Sequence, residues 1–425
     1  MGKYRLMNVA DGRIFEDEGW TLDDPKGTAP STVRAIYENK QLHVGDDKLG
    51  LYKFSDWMPI KRVLEHPSCP ITYKSEKLAK KLGLNNLYIT FSGWWPERGA
   101  CMTTCSFKET EAYSVCARMG EAQKKQVLVV ASAGNTARAF AKVCSDNDIP
   151  LLLCVPQDNI KALWFEKPLN PCVKLFTTAS RSDYFDAIQL SNHICELPGF
   201  LAEGGAQNIA RRDGMSTTMM SAVTTIGRIP DFYFQAVGSG TGAIAAWEAN
   251  LRFLEDGRFG KNKARLFVSQ NKPFVPMYDA WKQDSRTLLP YDADQARLDA
   301  AEICAPVLSN RKPPYSLAGG LYDALKDTEG DILAVSNEEA QAAKALFQET
   351  EGRDIYSAAA VALASLVQAI NNNKVNPDDV VMLNITGGGE KEFQEANRLY
   401  YLEPFHIFPI GFTKEEVLEV VQKTF

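Results

Sequence analysis

The sequence predicts an α/β protein whose sheets are mostly parallel and covered on both faces. Two observations carry this. Short apolar runs alternate with helix-length segments along most of the chain, the order expected when helices join parallel strands. The runs are also apolar at nearly every position, as in strands buried on both sides. At 425 residues the chain exceeds one ordinary core, so two or three domains are expected. No internal repeat, low-complexity tract or linker divides it, which predicts interwoven domains.

The elements follow in order. "KYRLMNV" (3–9) and "RIFE" (13–16) flank the turn signal "ADG" and predict a small hairpin. Residues 21–70 are turn-rich, with Pro59, Pro67 and Pro70 late in the segment. "NLYITF" (86–91) reads as a strand and 107–119 as a helix. Ser106 and Glu109 have the spacing of a capping box, which would hold Lys108 in the first helical turn. "QVLVVAS" (126–132) is a strand and "TARAFAKVCSDN" (136–147) a helix. "LLLCVP" (151–156), "VKLFTT" (173–178) and "DFYFQAV" (231–237) are strands. A helix at 243–256, a strand at 264–270, a helix at 357–372 and the strand "VVMLNI" (380–385) complete the alternation.

Composition removes several function classes. The chain has 47 basic and 53 acidic residues, a net charge of −6, which argues against a general nucleic-acid binder. No apolar run reaches the ~18 residues of a membrane span, and "MGKYRLMNVADG" lacks the apolar stretch of a signal peptide. Nine scattered cysteines, an odd number, fit reduced thiols in a cytosol. Cys101 and Cys105 have no second pair and no nearby histidine, and no H-E-x-x-H occurs, so no metal site is expected.

In such folds ligands bind beyond the carboxyl ends of the strands, and three glycine-rich turns stand there. "VGSGTGA" (237–243) lies between a strand and a helix. It is either a tight turn or a cup for one phosphate, with backbone amides and a helix N-terminus on the anion. A dinucleotide fold is disfavoured: Ile244 and Ala245 follow Gly242, so G-x-G-x-x-G fails, and the next strand ends in Ser269 and Gln270 instead of an acid. The G-K-[ST] of a P-loop is also absent. "ASAGNTARA" (131–139) is either an ordinary helix cap or a grip for a carboxylate, through Ser132, Asn135 and Thr136; Asn135 also suits a phenolic oxygen. "NITGGGEK" (384–391) puts the hydroxyl of Thr386 at a strand end; alone it is a turn. Taken with an anchored lysine, these features suit a cofactor with one phosphate, a phenolic oxygen, a ring nitrogen and an aldehyde. Pyridoxal 5′-phosphate has all four and binds lysine as a Schiff base.

"SFK" (106–108), "SAGNT" (132–136), the glycine-rich loop and "TGGG" (386–389) come in one particular order. That order resembles the threonine-synthase-like branch of the fold-type II pyridoxal phosphate enzymes, over residues about 57 to 392. Longer runs, among them "TCSFKETEA", "EGGAQNIARRDGM" and "YFQAVGSGTGAIAAWEANLRFLEDGRFG", are similar to the members that exchange the phosphate of phosphoserine for sulfite. The resemblance implies a tryptophan synthase β-like fold of two interwoven three-layer αβα domains with open, twisted sheets. It places a segment with the hairpin at 1–70, a large cofactor-binding domain at 71–118 and 205–425, and a small mobile domain at 119–204. It implies Lys108 as the Schiff-base lysine and Asn135 at the phenolic oxygen. Gly238, Ser239, Gly240, Thr241 and Gly242 become the phosphate cup, and Thr386 the hydroxyl at the ring nitrogen. Ser132, Ala133, Gly134 and Thr136 close on the substrate carboxylate, with Asn208 and Arg211 also at the substrate.

The reaction so implied is a β-replacement through an aminoacrylate, turning O-phosphoserine and sulfite into cysteate and phosphate. The product would feed coenzyme M or a sulfonated lipid. Arg211 is the first choice for the anions; Arg212 and Arg138 are each either a weaker choice or a surface salt bridge, and Trp94 and Trp95 are either a pocket roof or core or interface. A cytosolic homo-oligomer is the expectation for the branch. Two departures weaken threonine synthase, which acts on phosphohomoserine with water, as the specific reading. Threonine synthases usually read "GSFKDRG", whereas here Glu109 and Thr110 follow the lysine. Ser216 also replaces a lysine in the segment from Asn208. A non-catalytic binding protein on the same scaffold is the rival from another class, and the intact Lys108 argues against it.

Overall fold

A computed structural model describes residues 2–132, 134–182 and 184–425. The chain opens with the expected hairpin, β1 (Tyr4–Asn8) and β2 (Ile14–Phe15), to which β3 (Val33–Tyr37) adds on the other side of β1. There follow β4 (Ile71–Lys74), β5 (Asn86–Phe91), α1 (Lys108–Arg118), β6 (Val127–Ala131), α2 (Asn135–Asp146), β7 (Leu151–Pro156), β8 (Val173–Thr178), α3 (Tyr184–Cys195) and β9 (Phe200–Ala202). Next come α4 (Ile209–Ile226), β10 (Phe232–Ala236), α5 (Thr241–Asp256), β11 (Arg265–Asn271) and β12 (Asp331–Val335). The chain closes with α6 (Asn337–Glu351), α7 (Ser357–Asn371), β13 (Val380–Ile385), β14 (His406–Phe408) and α8 (Lys414–Thr424).

Two sheets organise these elements. One has six strands in the order β12-β11-β10-β13-β5-β4, parallel except for β4 against β5. The other has five parallel strands in the order β9-β6-β7-β8-β14. Both are buried on two faces, which explains their continuous apolar runs. In β10, Phe232 and Phe234 point to the cluster built with α6 and α7, while Tyr233 points to the one built with α4 and α5. In β7, Leu151 and Leu153 face α2, while Leu152 and Cys154 face α3 and α8. Each sheet is therefore the middle of an αβα sandwich. Among the described residues no helix is long and apolar enough to cross a membrane, and no His/Cys/Asp/Glu cluster has the arrangement of a metal site.

Two expectations are corrected. The segment 205–425 does not stay with the six-stranded sheet. β14 pairs with β8, and α8 places Val417 and Val421 in the cluster beneath α3. The reason is that β8 would otherwise leave an unpaired edge, which Phe408 and its neighbours cover. Second, Ser106 and Glu109 do not form a capping box. Ser106 Oγ accepts the amide of Lys108 at 3.3 Å. Glu109 turns away into the core, accepting from Ser68 at 2.6 Å, from the hydroxyl of Thr104 at 2.8 Å and from the amide of Thr104 at 3.1 Å. A fully buried carboxylate takes the partners that satisfy it.

Candidate active site

The ends of β6, β10 and β13 and the start of α1 converge on one cavity of about 190 Å³. Lys108, Ser132, Gly134, Asn135, Thr136, Arg211, Gly238 to Gly242 and Thr386 all line it. Ala133 lies outside the described residues. Asn208 is elsewhere: its side chain caps α4 through the Ala210 amide at 3.0 Å, accepts from Arg118 at 2.9 Å and donates to the Glu203 carbonyl at 2.7 Å.

Backbone bonds fix the lysine. The Phe107 amide donates to the Thr386 carbonyl at 2.9 Å, and the Gly388 amide to the Cys105 carbonyl at 3.1 Å. The backbone just before Lys108 and the backbone that carries Thr386 are thus joined before any ligand is considered. Nζ of Lys108 lies 3.1 Å from Glu111, and the side chain is 21% exposed. Burial lowers the Lys108 ammonium below its usual range, Glu111 pulls the other way, and Arg211 adds to the lowering. The Thr386 side chain is buried at the cavity wall, and its hydroxyl has no hydrogen-bond partner among the described residues.

The turn after β10 is built as an anion cradle. Gly240 has φ of +79°, and a Cβ on Gly242 would lie 2.6 Å from the side-chain amide of Gln235. The backbone amides of Ser239 and Gly240 take no partner among the described residues, and the hydroxyls of Ser239 and Thr241 lie 2.8 Å apart. Free amides at the N-terminus of the sixteen-residue α5 suit a phosphate.

At the start of α2, Ser132 Oγ accepts the amides of Gly134 and Ala137, both at 3.1 Å. Oδ1 of Asn135 accepts from Arg138 at 3.0 Å. Arginine only donates, so the amide nitrogen of Asn135 is left as a donor for the cavity. A phenolic oxygen is the matching acceptor. Free amides, an unpaired hydroxyl, a donor amide and a partly buried amine together fit pyridoxal phosphate.

The weaker expectations resolve plainly. Arg138 is buried and spends its guanidinium on Asn135, Thr104, Ala162 and the hydroxyl of Tyr356. Arg212 is buried against Glu248 and the carbonyls of Ala206 and Val33. Trp94 packs edge-on against Phe393, and Trp95 against Phe91 and Tyr73; neither lines the cavity. Sequence reasoning missed Glu111, Glu203, Tyr184 and the wall at 306–310. Only Glu111 left a signal: the third residue after the lysine is glycine in "GSFKDRG" and glutamate here.

Comparison with known proteins accords with this geometry. A family model described as "Pyridoxal-phosphate dependent enzyme" matches residues 72–387. The chain is 49% identical to the cysteate synthase of Methanosarcina acetivorans over 406 residues, 95% of this chain and 96% of that one. It is 45% identical to the cysteate synthase of Methanocella arvoryzae over 424 residues, 99% and 100% of the two chains. Among solved structures, maize serine racemase shares 14% identity with a TM-score of 0.58, covering 77% of this chain and 91% of its own. The processed form of threonine deaminase isoform 2 from Solanum lycopersicum shares 16% identity with a TM-score of 0.55, covering 87% and 98%. At those identities the likeness is one of fold.

Proposed function

The chain belongs to the pyridoxal-phosphate dependent enzymes, in the cysteate synthase family, and from that premise we propose that it replaces the phosphate of O-phosphoserine with sulfite to make cysteate. The observation that carries the reading is the meeting of Lys108, Asn135, the 238–242 turn and Thr386, from four separate parts of the chain, in one cavity. These are the residues that would hold the cofactor, with Lys108 as the amine bonded to it. When bound, pyridoxal phosphate supplies an electron sink for negative charge at Cα of the amino acid.

The chain's own groups do the rest. Nζ of Lys108 takes the α-proton and later returns it, a task suited to an amine that burial has made less basic. Ser132, Gly134 and Thr136, at the start of α2, orient the substrate carboxylate. Arg211 faces the departing phosphate and the incoming sulfite from the first turn of α4. Tyr184 and the wall at 306–310 close the remaining sides and restrict water.

Purified enzyme should release phosphate and form cysteate from phosphoserine and sulfite, and do neither with phosphohomoserine and water. Borohydride treatment of the loaded enzyme should fix the cofactor to Lys108, and Lys108→Ala should lose at least about a thousandfold in rate. Turnover of phosphohomoserine in place of phosphoserine would defeat the proposal.

A further inference from the structure

Behind the cavity wall, on Lys108 and Arg211, stand two carboxylates that the reaction above does not use. Glu111, wholly buried one turn beyond Lys108 on α1, sets one oxygen 3.1 Å from Nζ of Lys108. Its other oxygen lies 3.4 Å from a guanidinium nitrogen of Arg211 and makes no hydrogen bond. Glu203, in the link between β9 and α4, grips Arg211 with both oxygens, at 2.8 and 2.7 Å. A buried carboxylate with an unsatisfied oxygen is a cost to folding. The fold alone gives no reason for Glu111 to be there.

We infer that Glu111 is a positioning residue of this site: it is the counter-ion that holds Lys108 Nζ against α1, shares its charge with Arg211, and thereby sets the protonation of the amine whenever the amine is free. The charged groups that face Nζ are Glu111 from α1, Arg211 from α4 and Glu203 from the β9–α4 link. Two cations, Lys108 and Arg211, balance two anions, Glu111 and Glu203. Neutralising Glu111 removes the anion nearest Nζ and leaves the ammonium near the Arg211 guanidinium, which Glu203 still pairs, so the amine gives up its proton more readily. Neutralising Arg211 does the opposite. The catalytic consequence rests on the reading of Lys108 given above; the titration itself does not.

The test is competitive acetylation of the full chain, freed of cofactor with hydroxylamine, across a pH series, with Lys108 followed by peptide mass spectrometry. In Glu111→Gln, which keeps the shape and removes the charge, the midpoint should fall by about one pH unit. Labelling near neutral pH should then run about tenfold faster. In Arg211→Gln the midpoint should rise by about as much. A midpoint that moves by less than about 0.3 unit in Glu111→Gln, or that moves the same way in both variants, overturns the inference. If Glu111→Gln does not fold, Arg211→Gln decides alone: a rise supports the inference and an unchanged or lower midpoint defeats it. Borohydride trapping on the loaded enzyme answers separately. A missing adduct on Lys108 sinks the proposed function and leaves the titration standing, while an adduct with unmoved midpoints does the reverse.

Discussion

Arg138 settles which end of Asn135 faces the cavity. Its five donors must meet acceptors, so Oδ1 of Asn135 turns inward and Nδ2 outward. Asn135→Asp tests this directly. The aspartate keeps the bond to Arg138 but offers a second acceptor where a donor is needed. Cofactor affinity, read by titrating the absorbance of the bound form, should fall by about tenfold to a hundredfold, the range for a lost hydrogen bond to a charged group. It should fall further than in Asn135→Ala, which removes the donor without adding charge. Asn135 was legible in the sequence because it sits in a compact strand-end motif. Arg138 was visible too, but as an anion binder. Its burial, and hence its role behind Asn135, depends on Trp164 packing 4.1 Å from its guanidinium and on Tyr356, residues far along the chain. Glu203 was hidden for the same reason: nothing in the spacing ties it to Glu111, and only the fold brings them to one arginine.

Among the elements, the turn entering α5 is the most exacting. Gly242→Ala places a methyl against the Gln235 amide, whose oxygen also accepts from Tyr233 and Asn384 inside the sheet. The side chain is not free to move aside, so the turn must. Phosphate affinity should drop by at least about tenfold with thermal stability lowered, the outcome of overpacking by 1–3 kcal/mol in a close-packed site; isothermal titration with pyridoxal phosphate and a melting curve check both. Most strands could be read from the sequence to within a residue or two, because continuous apolar runs mark buried strands. The long α4 could not. It is buried nearly all round, so no polar stripe marks its period. Its serines and threonines look like loop residues. In the fold Ser216, Thr217 and Thr218 each return the hydroxyl to a carbonyl three residues back, at 2.7, 2.6 and 3.0 Å. Gly214 lets α4 meet α1 closely, since a Cβ there would stand 2.4 Å from the Thr110 carbonyl oxygen.

At the scale of the whole molecule, the two sandwiches share the cavity, and the chain passes between them more than once. The last crossing brings β14 and α8 onto the five-stranded sheet, where Phe408, Phe412, Val417 and Val421 are buried. Four such side chains contribute on the order of 8 kcal/mol by burial, comparable with the net stability of a typical domain. Deleting residues 400–425 should therefore leave a protein that fails to fold cooperatively, seen as loss of a sharp urea transition and as recovery mainly in the insoluble fraction. The alternation of strands and helices announced a layered α/β protein, but this return was not legible. A three-residue strand carries no periodic signal, and its place in a sheet is decided by the edge left open some 230 residues earlier, where Thr178 meets Phe408. That arrangement has a bearing on biosynthesis. While the polypeptide emerges from the ribosome, β8 waits with one flank bare until nearly all the remaining chain has been translated, so the nascent protein carries an adhesive border through most of its own production.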